Sequence, residues 1–539
     1  MIADLGTRCE ELYVQAGEVL PLAQGDAGAA RILEPVREQP GAAAGGFACA
    51  RERFEGIVGW LEGEQAAGFE HAELEARLEC EGRELLCALL QDHLDLRAGR
   101  EHRLAGVADS AGVRYGAVEA GHRRPLGSVF GEVTVTRLAY RRRGCENLHV
   151  ADGVLNLPVE QASHGVRRLA AIGSARGSFD EATCEIRRRT GLQIGKHQVE
   201  QLARRAACDF ESFYTSQARA EKVSTERDED DVLVLSADGK GIVMRPDALR
   251  TATAQAANRA SPKLKTRLSR GEKRYRKRIA EVGAVYELAP APRTPAEVLA
   301  SSAEKTLPAP KAKNKWLTAS VVEDAATVVA EIFDEADRRD PGHTRTWVAL
   351  VDGNNHQIDR INTEAKKRRA KVTIVVDVVH VLEYLWGAAW CFFDEGDPAA
   401  EQWVHDKALA ILEGKAGIVA AAIRRKATRL GLDPERRAKA DRAADYLLNK
   451  RRYLDYPTAL INGWPIATGV IEGACRHLVK DRMDITGARW GLDGAEAVLK
   501  LRALRSNGDF DAYWHYHLAQ ERHRNHECRY ANGQILKAA

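Results

Sequence analysis

Apolar residues recur in two rhythms along this chain, and the rhythm changes near residue 231. Before that point the spacing is mostly helical. Within a helical region over 1–105, Leu74, Leu78, Leu85 and Leu89 fall on one stripe of an acidic helix. The stripe does not persist over several heptads, which predicts a core-facing helix, with subunit pairing as the alternative. A small β-containing element is expected over 106–160, where Val133 and Val135 alternate with Thr134 and Thr136 ahead of Arg137 and the run Arg141, Arg142, Arg143. That strand end either grips phosphates or is simply solvated. Over 161–225 the helical pattern returns. Ser178 followed by Glu181 is a capping box that opens a helix, and Gly191 can end it. A second helix restarts near Gly195 with Val199, Leu202, Ala203 and Ala206 on one face, leaving Lys196, His197, Gln198 and Arg204 for contact. Two short helices around a turn with glycine suit a helix-turn-helix, although other helical hairpins share the pattern.

From 231 strands alternate with helices. Val232 to Leu235 is an apolar run leading into Ser236, Ala237, Asp238 and Gly239, which predicts a buried central strand ending in a carboxylate. A second strand is expected at Ile242 to Met244 and a third at Ile279 to Leu288. The basic segment between them, with Lys263, Lys265, Arg267, Arg270, Lys273, Arg274, Arg276, Lys277 and Arg278, is expected as an inserted loop or helix. A connector rich in Pro, Ala and Lys covers 290–315, and a helix follows from Val321 to Arg338. Trp347 to Val351 is another apolar strand, ending in Asp352, and Val372 to Val376 a further one, ending in Asp377. Those strands complete the first part of a core over 231–380. Residues 381–465 read as helices, 466–510 as a final helix carrying Glu472, and 511–539 as a tail. The fold class expected from the pattern is α/β, with strands alternating with helices from 231, a helical stretch over 381–465 and a mostly helical N-terminal region.

Composition narrows the function. The 539 residues are 45% hydrophobic and 29% charged, which excludes a largely disordered chain, a collagen-like repeat or a polytopic membrane protein. Lys and Arg number 80 against 77 Asp and Glu, a formal charge of +3, but the charge is segmented. Residues 51–100 carry 6 basic and 12 acidic side chains, and residues 261–280 carry 9 basic and 1 acidic. Arg424 to Arg452 holds 11 basic and 4 acidic. Local patches of this kind bind phosphate while the whole stays near neutral. Ten cysteines without a CxxC pair predict reduced thiols and a cytoplasmic protein. The start lacks the basic and apolar regions of a signal peptide, and the apolar stretch Val372 to Phe393 contains Asp377, His380 and Glu383, so no membrane segment is expected.

Carboxylates gathered at strand ends raise one another's pKa unless a cation neutralises them. Mg²⁺ takes oxygen ligands and keeps positions open for phosphate and water, so such a group with basic surface nearby suggests metal-assisted phosphoryl transfer. Each aspartate singly is also a common helix cap or turn residue. Other groups have bland readings. Asp481 and Asp484 suit Arg476, Lys480 and Arg489 as ion-pair partners, Trp490 suits core packing, and His515, His517, His523, His526 and Cys528 match no standard zinc finger.

Five stretches, in this order, carry a resemblance over roughly 55–525: Phe130-Gly-Glu-Val-Thr-Val-Thr-Arg137, SADGKG around Asp238, VDGNNHQ around Asp352, DVVHVLEYLW from Asp377 and GVIEGACRHLVKDRMDITGARWG from Gly469. In them the chain resembles the DDE transposases of bacterial insertion sequences related to the Mutator superfamily, in particular the ISKra-type group. The resemblance implies an RNase H-like catalytic core, a mixed sheet flanked by helices, with an all-helical insertion before the last acid and a mostly helical N-terminal DNA-binding region. It implies Asp238, Asp352 and Glu472 as a catalytic triad that holds two Mg²⁺ ions, for which Mn²⁺ can substitute. Asp377-Val-Val-His380 looks like the family's Cys/Asp-x-x-His motif, which makes Asp377 and His380 accessory candidates. Asp377 also ends a strand and is therefore the rival for the second acid. The implied partners are double-stranded DNA, as terminal inverted repeats and as target, and further copies of the chain, at least a dimer. A nuclease without strand transfer and a catalytically idle, transposase-derived DNA-binding protein are the alternatives.

Overall fold

The computed structural model describes residues 46–220, 230–259, 272, 275–300, 311–485 and 487–536. Two helices open it, α1 (Ala48–Leu61) and the long α2 (His71–Gly99), the latter started by a reciprocal capping box between Glu70 and Glu73. The leucine stripe of α2 is not core-facing: Leu78 and Leu89 are exposed, whereas Ala88 and Leu94 are the helix's buried residues. Leu94 packs with Leu126, Val133, Val135 and Leu157, which joins α2 to an antiparallel hairpin, β1 (Ala117–Ser128) and β2 (Gly131–Arg141). The alternation of β2 therefore follows its buried and solvent faces. Arg137 is not a free strand-end cation, because it is buried and paired with Asp152 at 2.5 Å.

A helical unit follows: α3 (His164–Arg176), α4 (Phe179–Thr190), α5 (Lys196–Ala206) and α6 (Phe210–Ala220). The capping box is present, with Glu181 N–H donating to Ser178 Oγ at 3.1 Å and Ser178 N–H donating to Glu181 Oε2 at 2.7 Å. Gly191 ends α4 at φ 73°, a left-handed conformation that an L side chain resists. What the sequence marks as a tail from 511 is instead a packed helix, α15 below. The aromatic and ionic faces of that helix close over this unit.

The centre is one mixed sheet in the order β5-β4-β3-β6-β7. Strand β4 (Lys277–Leu288) pairs antiparallel with β3 (Val232–Val243) on one side and with β5 (Lys313–Ser320) on the other. Strands β6 (Trp347–Val351) and β7 (Val372–Val376) run parallel to β3. Parallel strands buried on both faces read as unbroken apolar runs, and Val232–Leu235 and Trp347–Val351 are completely buried. Three expectations change here. Strand β3 does not end at Asp238 but continues to Val243, so the separate strand at Ile242 is its far half. Gly239, Lys240 and Gly241 hide that continuity because they carry no β signal, yet they pair with Glu281, Ala280 and Ile279. Strand β5 replaces the end of the expected connector, and Lys277 and Arg278 of the basic segment begin β4.

Helices cover both faces. On one, α7 (Ala325–Arg339), capped by Asp324, lays Val328, Val329, Ile332 and Phe333 against β3 and β4. On the other lie α13 (Gly469–Ala474), a wide π turn at Cys475–Lys480 and α14 (Leu492–Asn507), which place Ile471, Leu478 and Val498 over Ile242, Ala280, Val282, Ala284 and Ala319. Between the sheet strands and α13 come α8 (Asn355–Arg368), after β6, and then α9 (Val378–Ala389), α10 (Pro398–Leu412), α11 (Ala416–Arg429) and α12 (Pro434–Asn449). Buried alanines, among them Ala420, Ala427, Ala440 and Ala444, mark close helix packing in this block. Finally α15 (Phe510–Asn525) buries Tyr513, Trp514, His517 and Glu521. Among the described residues no helix is long and apolar enough to cross a membrane, and the cysteines are free thiols.

The close approach of α7 to the sheet gives a first prediction. A Cβ on Gly283 would sit 2.7 Å from Ile332 Cγ1 and 3.0 Å from Thr318 Cγ2. Gly283→Val should overpack this layer by about 1–3 kcal/mol and lower the thermal midpoint followed by circular dichroism.

Candidate active site

The strand register brings the aspartates together. Ser236 is level with Leu350, and Ser236 Oγ donates to the Leu350 carbonyl at 2.8 Å. Two residues on, Asp238 and Asp352 continue that register from β3 and β6. Val351 pairs with Val376, and Asp377 N–H donates to the Val351 carbonyl at 2.8 Å, which puts Asp377 level with Asp352. Laterally paired residues of a sheet share a face, so Asp238, Asp352 and Asp377 form one row on one face. Asp238 pairs with Val282, and that face is the one covered by α13 and the π turn. Glu472 belongs to α13 and Cys475 opens the π turn, where its thiol donates to Asp238 Oδ2 at 3.3 Å.

The acids differ in their surroundings. Asp377 is completely buried; burial pushes its carboxyl up, opposed by hydrogen bonds from Thr468 and from Val379 N–H. Asp238 and Asp352 are half-buried, and Asp352 Oδ1 accepts from Asn354 N–H at 2.7 Å. Glu472 is exposed at its surface yet raised in pKa, first by partial burial and then by the charge of Asp377, with Glu383 and Asp238 adding and His380 opposing. No three of these four acids place their side-chain oxygens within 4.8 Å of one another. Their donor chemistry suits a hard divalent cation, since carboxylate oxygens gather on one face of the sheet.

Supporting residues come from the helical block. Tyr446 of α12 donates to the Asp352 carbonyl at 2.9 Å and stacks on Tyr384 of α9 at 3.9 Å. Its hydroxyl lies 2.6 Å from where a Cβ on Gly353 would be, so only glycine fits that turn, at φ 91°. Lys450 is buried, bonds Asn355 Oδ1, and is lowered in pKa by burial while the charges of Asp352 and Asp359 oppose. Cys475, Thr468, Tyr446 and Lys450 carry no sequence signal of their own, because each acts on a residue far away in the chain. His380 bonds Glu383 at 2.9 Å on α9 and faces the same cluster.

The expected DNA contacts are spread out. Lys196 pairs with Asp180 at 2.7 Å, Gln198 Oε1 accepts from Gly195 N–H at 2.9 Å, Arg204 pairs with Asp493, and His197 is exposed. Exposed pairs of this type are worth little and open readily. Arg278 Nε donates to the Val321 carbonyl at 2.7 Å and the Arg276 carbonyl accepts from Met244 N–H at 2.9 Å, both fixing the start of β4. Lys277 leans over Gly241, where an added Cβ would lie 2.9 Å from its Cδ. Lys263, Lys265, Arg267, Arg270, Lys273 and Arg274 lie outside the described residues.

A second group has metal-ligand composition: Cys208, Asp209 and His517 place their ligand atoms within 4.8 Å of one another. Two guanidinium groups already supply the positive charge there. His517 Nδ1 lies 2.6 Å from Asp209, while its Nε2 lies 2.9 Å from Arg167 Nη1, which can only donate, so Nδ1 carries the proton. Arg524 bonds Asp209 at 3.0 Å and 2.5 Å, and Arg167 bonds Glu521 at 2.7 Å. The network locks α15 onto α3 and the turn before α6. His515, His523, His526 and Cys528 form no ligand group with it among the described residues. Trp490 is a core residue, donating to the Met483 carbonyl at 3.0 Å beneath Arg482.

No protein-family model and no curated protein matches this chain.

The network yields a pH prediction. Burial pushes Asp209 up, but the bonds from His517 and Arg524 outweigh it and bring the carboxyl from 3.8 down to about 2. A depressed acid stabilises the fold above its ordinary pKa and loses that effect as pH falls through the folded value. The melting temperature of Asp209→Asn should therefore lie below wild type at neutral pH, and the difference should shrink as pH falls from about 4 to about 2.

Proposed function

We propose that this chain is a DDE transposase of an insertion sequence with an RNase H-like core, and that Asp238, Asp352 and Glu472 are its catalytic acids. The observation that carries the reading is the row of aspartates on adjacent parallel strands with Glu472 on the helix over the same face. The sheet supports it. Three antiparallel strands followed by two that run parallel to the first, in the order 3-2-1-4-5, are the arrangement an RNase H-like core requires. The helical block between Asp377 and Glu472 occupies the place of an insertion before the last acid.

Asp238, Asp352 and Glu472 would hold two Mg²⁺ ions, or Mn²⁺ in their place, which when bound supply activation of the attacking oxygen and stabilisation of the leaving oxygen. The chain's own residues hold the acids ready. Cys475 fixes the Asp238 carboxylate, Asn354 N–H and Tyr446 fix the Asp352 turn, and the buried Lys450 tempers the negative field beside it. Element ends would bind at the N-terminal helical unit, through Lys196, His197, Gln198 and Arg204 once their surface pairs open. The basic segment 263–278 and the cationic helices α11 and α12 would lie against phosphates, so binding would weaken steeply with salt. Both cleavage and joining would use one site, and handling two ends at once calls for at least a dimer.

The test is cleavage and strand transfer on DNA carrying the ends of the encoding element, with Mg²⁺. Asp238→Ala, Asp352→Ala and Glu472→Ala should each abolish both reactions, by at least about a thousandfold, while DNA binding in a gel-shift assay is retained. A free 3′-hydroxyl never joined to a second duplex would assign a nuclease. Wild-type binding without cleavage under Mg²⁺ or Mn²⁺ would leave a DNA-binding protein.

A further inference from the structure

The row contains one aspartate more than the proposed triad uses, and that residue is enclosed. Asp377 has no solvent exposure, whereas Asp238 and Asp352 are half-open. Both of its carboxylate oxygens are engaged. Oδ1 accepts from Val379 N–H at 2.9 Å, which makes Asp377 the cap of α9, and Oδ2 accepts from the Thr468 hydroxyl. Thr468 is itself nearly buried and is the cap residue of α13. Its carbonyl accepts from Glu472 N–H at 3.1 Å. A second bond reinforces the junction, because Val378 N–H donates to the Ile466 carbonyl at 2.9 Å. Across 91 residues of sequence, the end of β7 therefore grips the first turn of the helix that bears Glu472.

Building on the proposed catalytic triad, we infer that Asp377 is a positioning residue: through Thr468 it fixes α13 and so the place of Glu472 over the row, and it does not itself ligate an ion. A hydrated Mg²⁺ keeps several waters and needs an accessible oxygen, which Asp377 does not present. An anion sealed in the interior is costly unless it is fully bonded, so the carboxylate persists there because Thr468 and Val379 N–H satisfy it. The same bonds make the position of α13 depend on it. Outer residues that orient ligands in this way typically change metal affinity by about 10- to 100-fold when removed.

Two readouts separate positioning from ligation, and neither is turnover. The first is hydrogen exchange by mass spectrometry over residues 466–475; the second is Mn²⁺ affinity by titration of the full-length protein. Thr468→Val and Asp377→Ala should both speed exchange of 466–475 and weaken Mn²⁺ binding by about tenfold. Asp377→Asn keeps the shape, an acceptor for Val379 N–H and a donor for the Thr468 hydroxyl, so it should stay closer than Asp377→Ala to native exchange and Mn²⁺ affinity, whereas Asp352→Asn should lose the ion. The inference is overturned if Asp377→Asn loses Mn²⁺ as Asp352→Asn does, or if Thr468→Val exchanges like wild type. Should wild type itself bind no Mn²⁺, the catalytic reading fails, and the exchange of Thr468→Val alone then decides whether the clasp exists.

Discussion

Like charges placed side by side are the constraint around which this molecule is arranged. Three aspartates level with one another on neighbouring strands, under a helix that brings a glutamate, oppose the packing of the sheet beneath them. The sheet tolerates them because everything around the row answers their charge or bonds their oxygens. The Cys475 thiol and the Asn354 amide each take one carboxylate oxygen. Lys450 supplies a buried cation within reach of Asp352, and Thr468 with Val379 N–H satisfies the one acid that water cannot reach. The β3, β6 and β7 apolar runs below supply the burial that holds the charged edge in place.

Part of this was legible in the residues and part was not, for reasons that differ. The strands at Val232 and Trp347 announce themselves because strands buried on both faces leave no polar interruption, and the edge strand at Val372 does so through its β-branched run. The aspartates that follow them are easy to mark for the same reason. The far half of β3 is hidden by Gly239, Lys240 and Gly241, whose pairing is imposed by β4 rather than by their own propensity. Strand β5 is hidden because Lys313, Asn314 and Lys315 look like the connector that precedes them. The leucine stripe of α2 misleads in the opposite sense, since its spacing is right for a core face and part of it still lies open to solvent. Helix α15 packs through Phe510, Tyr513 and Trp514 but is also held by Arg167, Asp209 and Arg205, and ionic pairing leaves no periodic mark in a single sequence.

The site divides in the same way. The resemblance marks Asp238, Asp352 and Glu472 as candidates with Asp377 as a rival, and the register adds what spacing could not: that Asp352 and Asp377 are lateral neighbours. Tyr446, Lys450 and Thr468 are ordinary residues in helices or turns until the fold brings them beside an acid. A supporting role of that kind resides in a contact between distant segments, so no local pattern could have disclosed it. The expected cationic contacts show the converse. Lys196 and Arg204 have the right composition for phosphate and are engaged with Asp180 and Asp493 in this structure.

The bond between Val378 and Ile466 has a consequence for the order in which this protein comes into being. The chain leaves the sheet and returns to it at one point, so everything between forms a closed loop of about ninety residues whose ends must meet before the last acid is in place. During synthesis the three aspartates emerge and their strands can pair well before that loop is complete, since those contacts need only the residues already made. Glu472 arrives only after the helices between Val378 and Ile466 have been made. Assembly of the charged edge is thus the late step, dependent on long-range closure, and a chain stopped within the helical block would carry the row of aspartates without the helix that covers it.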